Sequence, residues 1–138
     1  MAAPALVVDC SACMPWFLED EANAWSERLL QELPRYRLHV PALWHLELPN
    51  VLLTAERRGR IAAETRQGLL QRAARLPVTT DTAMVPLTQL AELAVNCGLT
   101  TYDAAYLELA MRLPCALATQ DKALGAAAQR CGVSVWGI

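Results

Sequence analysis

Short apolar runs alternate along the chain with longer segments in which apolar residues recur at helical spacing. The first apolar run, residues 5–8, ends at Asp9 and predicts a buried parallel strand. In the amphipathic segments that follow, prolines and glycines mark the ends of the predicted helices. The pattern predicts strands at 5–8, 35–40, 78–80, 115–118 and 133–136, and helices at 22–33, 42–58, 61–76, 83–97, 103–113 and 122–131.

Strands that alternate with helices are typical of an α/β fold with a parallel central sheet. We therefore predict a three-layer αβα arrangement, with helices on both faces of the sheet. The chain has 138 residues and contains no internal repeat or linker. Residues 1–138 are accordingly expected to form a single domain.

The composition is more apolar than that of a typical soluble monomer, with 54% hydrophobic and 19% charged residues. A partner often covers surplus apolar surface in a small domain, so we expect an oligomer or a bound second protein. No uncharged apolar run is long enough to span a membrane, and the first eight residues lack the basic segment of a signal peptide. These features predict a cytoplasmic protein without a membrane segment.

Four carboxylates are predicted to meet at one edge of the sheet. Asp9 and Asp121 follow predicted strands, Asp103 begins a helix, and Glu47 lies near the beginning of the helix after the second strand. Ligands of open parallel sheets bind at the carboxyl ends of the strands, where these four side chains can converge. Asp103 and Asp121 also have a simpler interpretation as helix caps, the usual role of an aspartate at a helix start.

Carboxylates packed together repel one another unless a cation compensates their charge. Oxygen-only ligands favour Mg²⁺ or Mn²⁺ over zinc, and such an ion can promote hydrolysis of a phosphodiester bond. The formal net charge of −2 gives no overall basic field. A nucleic acid would therefore have to be bound through metal ions and a local basic patch, such as the cluster Arg57, Arg58 and Arg60.

Four sequence blocks resemble those of PIN-domain nucleases, in the same order and over nearly the whole chain. The blocks are Val7-Val8-Asp9-Cys10-Ser11-Ala12, Val40-Pro41 through Glu47 and Asn50-Val51-Leu52, Leu99-Thr100-Thr101-Tyr102-Asp103-Ala104-Ala105-Tyr106-Leu107, and Ala118-Thr119-Gln120-Asp121-Lys122-Ala123-Leu124. The third and fourth blocks are the most specific. Within the family, the chain is most similar to the VapC-type toxins of bacterial toxin–antitoxin pairs.

The resemblance implies a metal-dependent endoribonuclease in which Asp9 and Asp103 hold Mg²⁺ or Mn²⁺. It further implies that Glu47 and Asp121 complete the acidic site. Ser11 and Thr119 match hydroxyl positions beside that site, where they would contact substrate. Family members dimerise, and a cognate antitoxin silences them by filling the active-site groove. One departure is Pro49, which lies inside the helix of Glu47 and predicts a kink that would redirect this carboxylate.

Two other functions remain open from the residues alone. Cys10 and Cys13 form a C-x-x-C pattern, which in a cytosolic α/β chain is compatible with a thiol oxidoreductase. The odd number of five cysteines predicts reduced thiols rather than a disulfide framework. The second alternative is a non-catalytic binding module of the same fold, in which the acids serve as helix caps.

Overall fold

Four short parallel strands form the centre of the computed structural model, which describes residues 2–138. The strands are β1 (Ala5–Val8), β2 (Arg37–Pro41), β3 (Val78–Asp81) and β4 (Ala116–Ala118), in the sheet order β3-β2-β1-β4. Strand β1 pairs with β2 on one side and with β4 on the other. Its residues Leu6, Val7 and Val8 have no exposed surface, which explains the continuous apolar run.

Within residues 2–138, seven α-helices flank this sheet. They are α1 (Cys10–Cys13), α2 (Ala24–Glu32), α3 (Trp44–Arg57), α4 (Ala63–Ala74), α5 (Leu87–Cys97), α6 (Thr101–Arg112) and α7 (Lys122–Arg130), with 3₁₀ turns at Met14–Trp16, Glu19–Glu21 and Leu33–Arg35. Helix α6 packs against β1, β2 and β4, and its buried face belongs to the core. The predicted α/β fold, with a three-layer arrangement around a parallel sheet, is confirmed.

The strand predicted at 133–136 is wrong as an extended strand. Only Val135 forms a parallel bridge, to Leu117, and the chain turns at Gly137, where φ is 85°. The ring of Trp136 packs edge-on against Trp25, with the ring centroids 5.3 Å apart. Because the chain turns at Gly137, next to Trp136, the pairing with β4 ends after this single bridge.

The helix predicted at 83–97 begins later, at Leu87. Pro86 precedes the helix with ψ of 137°, and the residue before a proline is sterically disfavoured in helical conformation. The following helix starts at Thr101 because the side chain of Thr100 accepts a hydrogen bond from the Asp103 N–H and caps it. No helix within residues 2–138 combines the length and the apolar character needed to cross a bilayer.

Candidate active site

Asp9 lies directly after β1 and is held by three hydrogen bonds. Its Oδ1 accepts from the Ser11 hydroxyl at 2.7 Å and from the Ala12 N–H at 2.9 Å, and its Oδ2 accepts from the Thr119 hydroxyl. The residue is only 5% exposed. Burial raises the pKa of Asp9 from 3.8 to about 6, although the three hydrogen bonds work in the opposite direction, and the charge of Asp103 raises it further.

The parallel pairing of β1 with β4 brings Asp9 and Thr119 side by side. The Asp9 N–H donates to the Ala118 carbonyl at 3.2 Å, which aligns the ends of the two strands. The hydroxyls of Ser11 and Thr119 lie 3.3 Å apart, and Thr119 Oγ1 also accepts the Asp121 N–H at 3.0 Å. The two predicted hydroxyl residues therefore both contact the buried carboxylate.

The cap interpretation holds for Asp121 and not for Asp103. Asp121 Oδ1 accepts the Leu124 N–H at 3.1 Å and caps α7, which occupies one of its two oxygens. Asp103 instead lies in the first turn of α6, where Thr100 is the capping residue. Asp9 also caps a helix, the short α1. Helix capping therefore accounts for one carboxylate oxygen of Asp9 and one of Asp121. The carboxylate of Asp103 caps no helix.

Glu47 is oriented by a tyrosine that the sequence did not single out. The Tyr106 hydroxyl donates to Glu47 Oε1 at 2.5 Å, and Tyr106 is 1% exposed. A buried tyrosine usually finds a partner for its hydroxyl, and Tyr106 lies three residues after Asp103 on the same side of α6. The three-residue spacing between Asp103 and Tyr106 was the one feature of the sequence that could have indicated a role for Tyr106 beside the acidic residues. Helix α3 continues through Pro49, and Glu47 still reaches this partner.

The four carboxylates influence one another electrostatically. Burial is the main cause that raises the pKa of Glu47 and of Asp103, as it is for Asp9. The charge of Asp103 adds to the increase for Glu47, and the charge of Asp121 adds to that for Asp103. In the part of the chain that the structure describes, none of the four forms an ion pair with lysine or arginine.

A hard divalent cation fits the chemistry of this donor set, since the ligands are oxygen atoms with uncompensated negative charge. The side chains are not drawn together into a preformed ligand cluster. Among residues 2–138, no three His, Cys, Asp or Glu side chains lie close enough to hold one ion. The structure thus brings Asp9 to Ser11 and Thr119 and Glu47 to Tyr106, with Asp103 and Asp121 within electrostatic reach.

The C-x-x-C pair lacks the properties of a reactive thiol. Burial raises the pKa of Cys10 to about 12, and the carboxylates of Glu47 and Asp9 contribute to the increase. Burial raises the pKa of Cys13 as well, and this residue has no exposed surface. Catalytic cysteines require the opposite, a lowered pKa in an accessible electropositive environment. The geometry therefore disfavours a thiol oxidoreductase.

Comparison with known proteins agrees with this arrangement. Residues 6–129 match the family described as PIN domain, which covers most of the chain. The chain belongs to the PIN-domain family. This PIN-domain protein is 34% identical over 131 residues to a VapC ribonuclease of Mycobacterium bovis and, equally, to Ribonuclease VapC9 of Mycobacterium tuberculosis. Each alignment covers 94% of this chain and 97% of the relative. The predicted membership among PIN-domain proteins of the VapC type is confirmed.

Solved structures share the fold. PAE2754 from Pyrobaculum aerophilum superposes with a TM-score of 0.67 and 28% identity, over 91% of this PIN-domain protein and 80% of that chain. FitAcB from Neisseria gonorrhoeae superposes with a TM-score of 0.68 over 96% of this chain and 99% of the other. The sequence identity to FitAcB is 16%, so this likeness supports the fold alone.

Proposed function

We propose that this PIN-domain protein is an endoribonuclease that hydrolyses RNA phosphodiester bonds with Mg²⁺ or Mn²⁺, and that it is the toxin of a toxin–antitoxin pair. The observation that carries the proposal is the acidic edge of Asp9, Glu47, Asp103 and Asp121, since none of the four pairs with a lysine or arginine among residues 2–138. Relatives named as ribonucleases are aligned over nearly the full chain, which supports the same substrate class.

The proposed roles follow from the positions of the side chains. Asp9 and Asp103 would hold the ion, and Glu47 and Asp121 would complete the acidic site. An ion held there would neutralise charge on a phosphate oxygen and make a water molecule easier to deprotonate. Ser11 and Thr119 would contact the substrate, and their hydroxyls, which both donate to Asp9, would keep its carboxylate oriented.

Glu47 is suited to receive a proton from the attacking water. Burial raises its pKa, which makes its carboxylate a better base than an exposed glutamate. The hydrogen bond from Tyr106 Oη to Oε1 restricts the rotation of the carboxylate and leaves Oε2 outside that contact. The orientation of this base is therefore set by α6, the helix that also carries Asp103.

Protein partners are part of the proposal. Several large apolar side chains are exposed on or near α5, including Met84 at 93%, Leu87 at 88% and Val95 at 77%. Exposed apolar surface of this kind is typical of protein interaction sites. We propose a homodimer and a cognate antitoxin as the partners. Sedimentation of the purified chain, alone and with the product of the neighbouring reading frame, tests both.

The enzymatic proposal is tested by cleavage of labelled RNA with Mg²⁺, with Mn²⁺ and with excess EDTA. We expect cleavage with either ion, loss of cleavage with EDTA, and loss of cleavage in Asp9→Asn and in Asp103→Asn. Glu92→Gln is the matched control, because Glu92 is exposed on α5. Cleavage that persists in Asp103→Asn, or in EDTA, would contradict the proposal. Binding of RNA without cleavage under every condition would instead indicate a non-catalytic module.

A further inference from the structure

The side chain of Gln120 joins three separate segments beside the acidic edge. Its Nε2 donates to the Ser11 carbonyl at 2.9 Å, and its Oε1 accepts from Asn23 Nδ2 at 2.8 Å. The backbone N–H of Gln120 donates to the Ser11 hydroxyl oxygen at 2.9 Å. One residue therefore contacts both the carbonyl and the hydroxyl of Ser11.

The Ser11 carbonyl needs an outside donor because of Pro15. At the end of α1 the Met14 N–H donates to the Cys10 carbonyl, and Met14 itself has helical backbone angles. The next bond in this series would run from residue 15 to the carbonyl of Ser11. Residue 15 is a proline and has no N–H. The Nε2 group of Gln120 supplies the donor that the proline removes.

Asn23 fixes which end of the Gln120 amide points to Ser11. The Oδ1 atom of Asn23 accepts the Ser26 N–H at 2.8 Å and caps α2, so its Nδ2 group must point away from that helix. Nδ2 then donates to Gln120 Oε1, which directs Gln120 Nε2 to the Ser11 carbonyl. The backbone N–H of Ser26 thus sets the orientation of the Gln120 amide through Asn23.

The Ser11 hydroxyl links Gln120 to Asp9 through two hydrogen bonds. This hydroxyl accepts a hydrogen bond from the Gln120 N–H, and its single proton is given to Asp9 Oδ1 at 2.7 Å. We propose that Gln120 is a positioning residue, which holds Ser11 at its carbonyl and hydroxyl and thereby orients the Asp9 carboxylate for hydrolysis. The proposal rests on the proposed nuclease function of the Asp9 site.

Gln120→Met tests this role, since methionine has a similar length and lacks both the Oε1 acceptor and the Nε2 donor of glutamine. We expect the single-turnover cleavage rate to fall about threefold to tenfold, the effect of one net hydrogen bond, while KM stays within about twofold. Gln89→Met is the matched control, an exposed glutamine on α5, and should cleave like the wild type. A wild-type rate in Gln120→Met, or a change confined to KM, would overturn the proposal.

Asn23→Asp tests the hydrogen bond from Asn23 to the Gln120 side chain. Aspartate keeps the Oδ1 atom that caps α2 and loses the Nδ2 donor to Gln120. We expect a rate between those of the wild type and Gln120→Met, with little loss of stability. A rate equal to that of the wild type would show that Asn23 does not orient the amide.

Pro15→Ala provides a rescue that a purely structural role of Gln120 does not predict. Alanine restores a backbone N–H at the position that can bond the Ser11 carbonyl. We expect Gln120→Met with Pro15→Ala to cleave faster than the product of the two single effects. Strict additivity would mean that the Ser11 carbonyl is not the group through which Gln120 acts.

Amide exchange measured by NMR on the metal-free protein gives a readout that does not depend on cleavage. The Ala12 N–H donates to Asp9 Oδ1 and the Gln120 N–H donates to Ser11, so both should exchange severalfold faster in Gln120→Met. The Leu124 N–H, bonded to Asp121, serves as the internal control. Unchanged exchange at Ala12 would overturn the positioning role. Absence of RNA cleavage by the wild type would overturn the proposed function alone.

Discussion

The hydroxyl of Tyr106 donates to Glu47 Oε1 at 2.5 Å and joins the buried face of α6 to the beginning of α3. The two residues are 59 positions apart in the sequence. Asp103 lies on the same helix as Tyr106, so α6 supplies one carboxylate of the acidic edge and orients another. Pro49, two residues after Glu47, leaves this contact intact.

Tyr106→Phe should lower the cleavage rate about tenfold to a hundredfold while it preserves the fold. The ring remains in its buried position, and the lost hydrogen bond to a charged acceptor is of the class that contributes about 1.5–3 kcal/mol. That bond lowers the pKa of Glu47, so its loss should raise the pKa and move the acid limb of the pH–rate profile to higher pH. The measurement is the cleavage rate as a function of pH.

Tyr102→Phe is the matched control for this change. Tyr102 belongs to the same helix and is 61% exposed, so it should show neither effect. If Tyr106→Phe and Tyr102→Phe gave the same pH–rate profile, Tyr106 would be a packing residue only.

Stability should depend on pH through Asp9 in the metal-free protein. The pKa of Asp9 is about 6 in the native state against 3.8 ordinarily, so the native state binds more protons between these values. Stability should therefore rise as the pH falls through 6 towards 4, and ionised Asp9 should cost about 3 kcal/mol at neutral pH. Urea unfolding in EDTA at pH 5 and at pH 7.5 measures the difference.

Asp9→Asn should remove this contribution and reduce the pH dependence, while Glu47 and Asp103, whose pKa values burial also raises, should retain theirs. At pH 7.5 the metal-free variant should be more stable than the wild type, because asparagine carries no charge into the buried position. Glu92→Gln, which changes an exposed carboxylate, should follow the wild-type curve. A variant less stable than the wild type at pH 7.5 would mean that the three hydrogen bonds outweigh the burial of charge.

Mn²⁺ should raise the melting temperature of the wild type and not that of Asp103→Asn. A ligand that binds only the native state stabilises it by about 2.7 kcal/mol at a hundredfold excess over Kd. The carboxylate of Asp103 has no capping role, so its removal should affect ion binding more than folding. A thermal-shift titration checks this, and equal shifts in both proteins would remove Asp103 from the proposed ligands.

Cys97 and Cys131 should form a disulfide under oxidation. Their sulfur atoms lie 3.6 Å apart at the ends of α5 and α7, and both residues are partly exposed. Burial raises the pKa of Cys131, so exchange with oxidised glutathione should be slow at neutral pH and faster at higher pH. The expected result is a mass loss of two hydrogen atoms and stabilisation by about 2–4 kcal/mol.

Peptide mapping identifies the pair, and Cys97→Ser is the control that should abolish the change. Cys10 and Cys13 should remain reduced under the same conditions, because both thiols have a raised pKa and Cys13 is fully buried. A disulfide between Cys10 and Cys13 formed ahead of the other would reopen the thiol oxidoreductase interpretation.

The sequence by itself determined the α/β class with a parallel sheet and the position of Asp9 at the end of its first strand. Strand β1 was evident because a strand buried on both faces must be apolar throughout, and Asp9 marks its end. The alternation of strands and helices then fixes the parallel topology. The positions of Asp9, Asp103 and Asp121 relative to their strands and helices followed from those element boundaries.

Only the tertiary structure decided which groups meet and how they are charged. Periodicity identifies the buried face of an element and says nothing about the atom that faces it, so Tyr106 and Gln120 could not be paired with Glu47 and Ser11 from the sequence. Those partners are 59 and 109 residues apart. The raised pKa of Asp9 is likewise a property of the packed core, since burial, its main cause, exists only once distant segments exclude water.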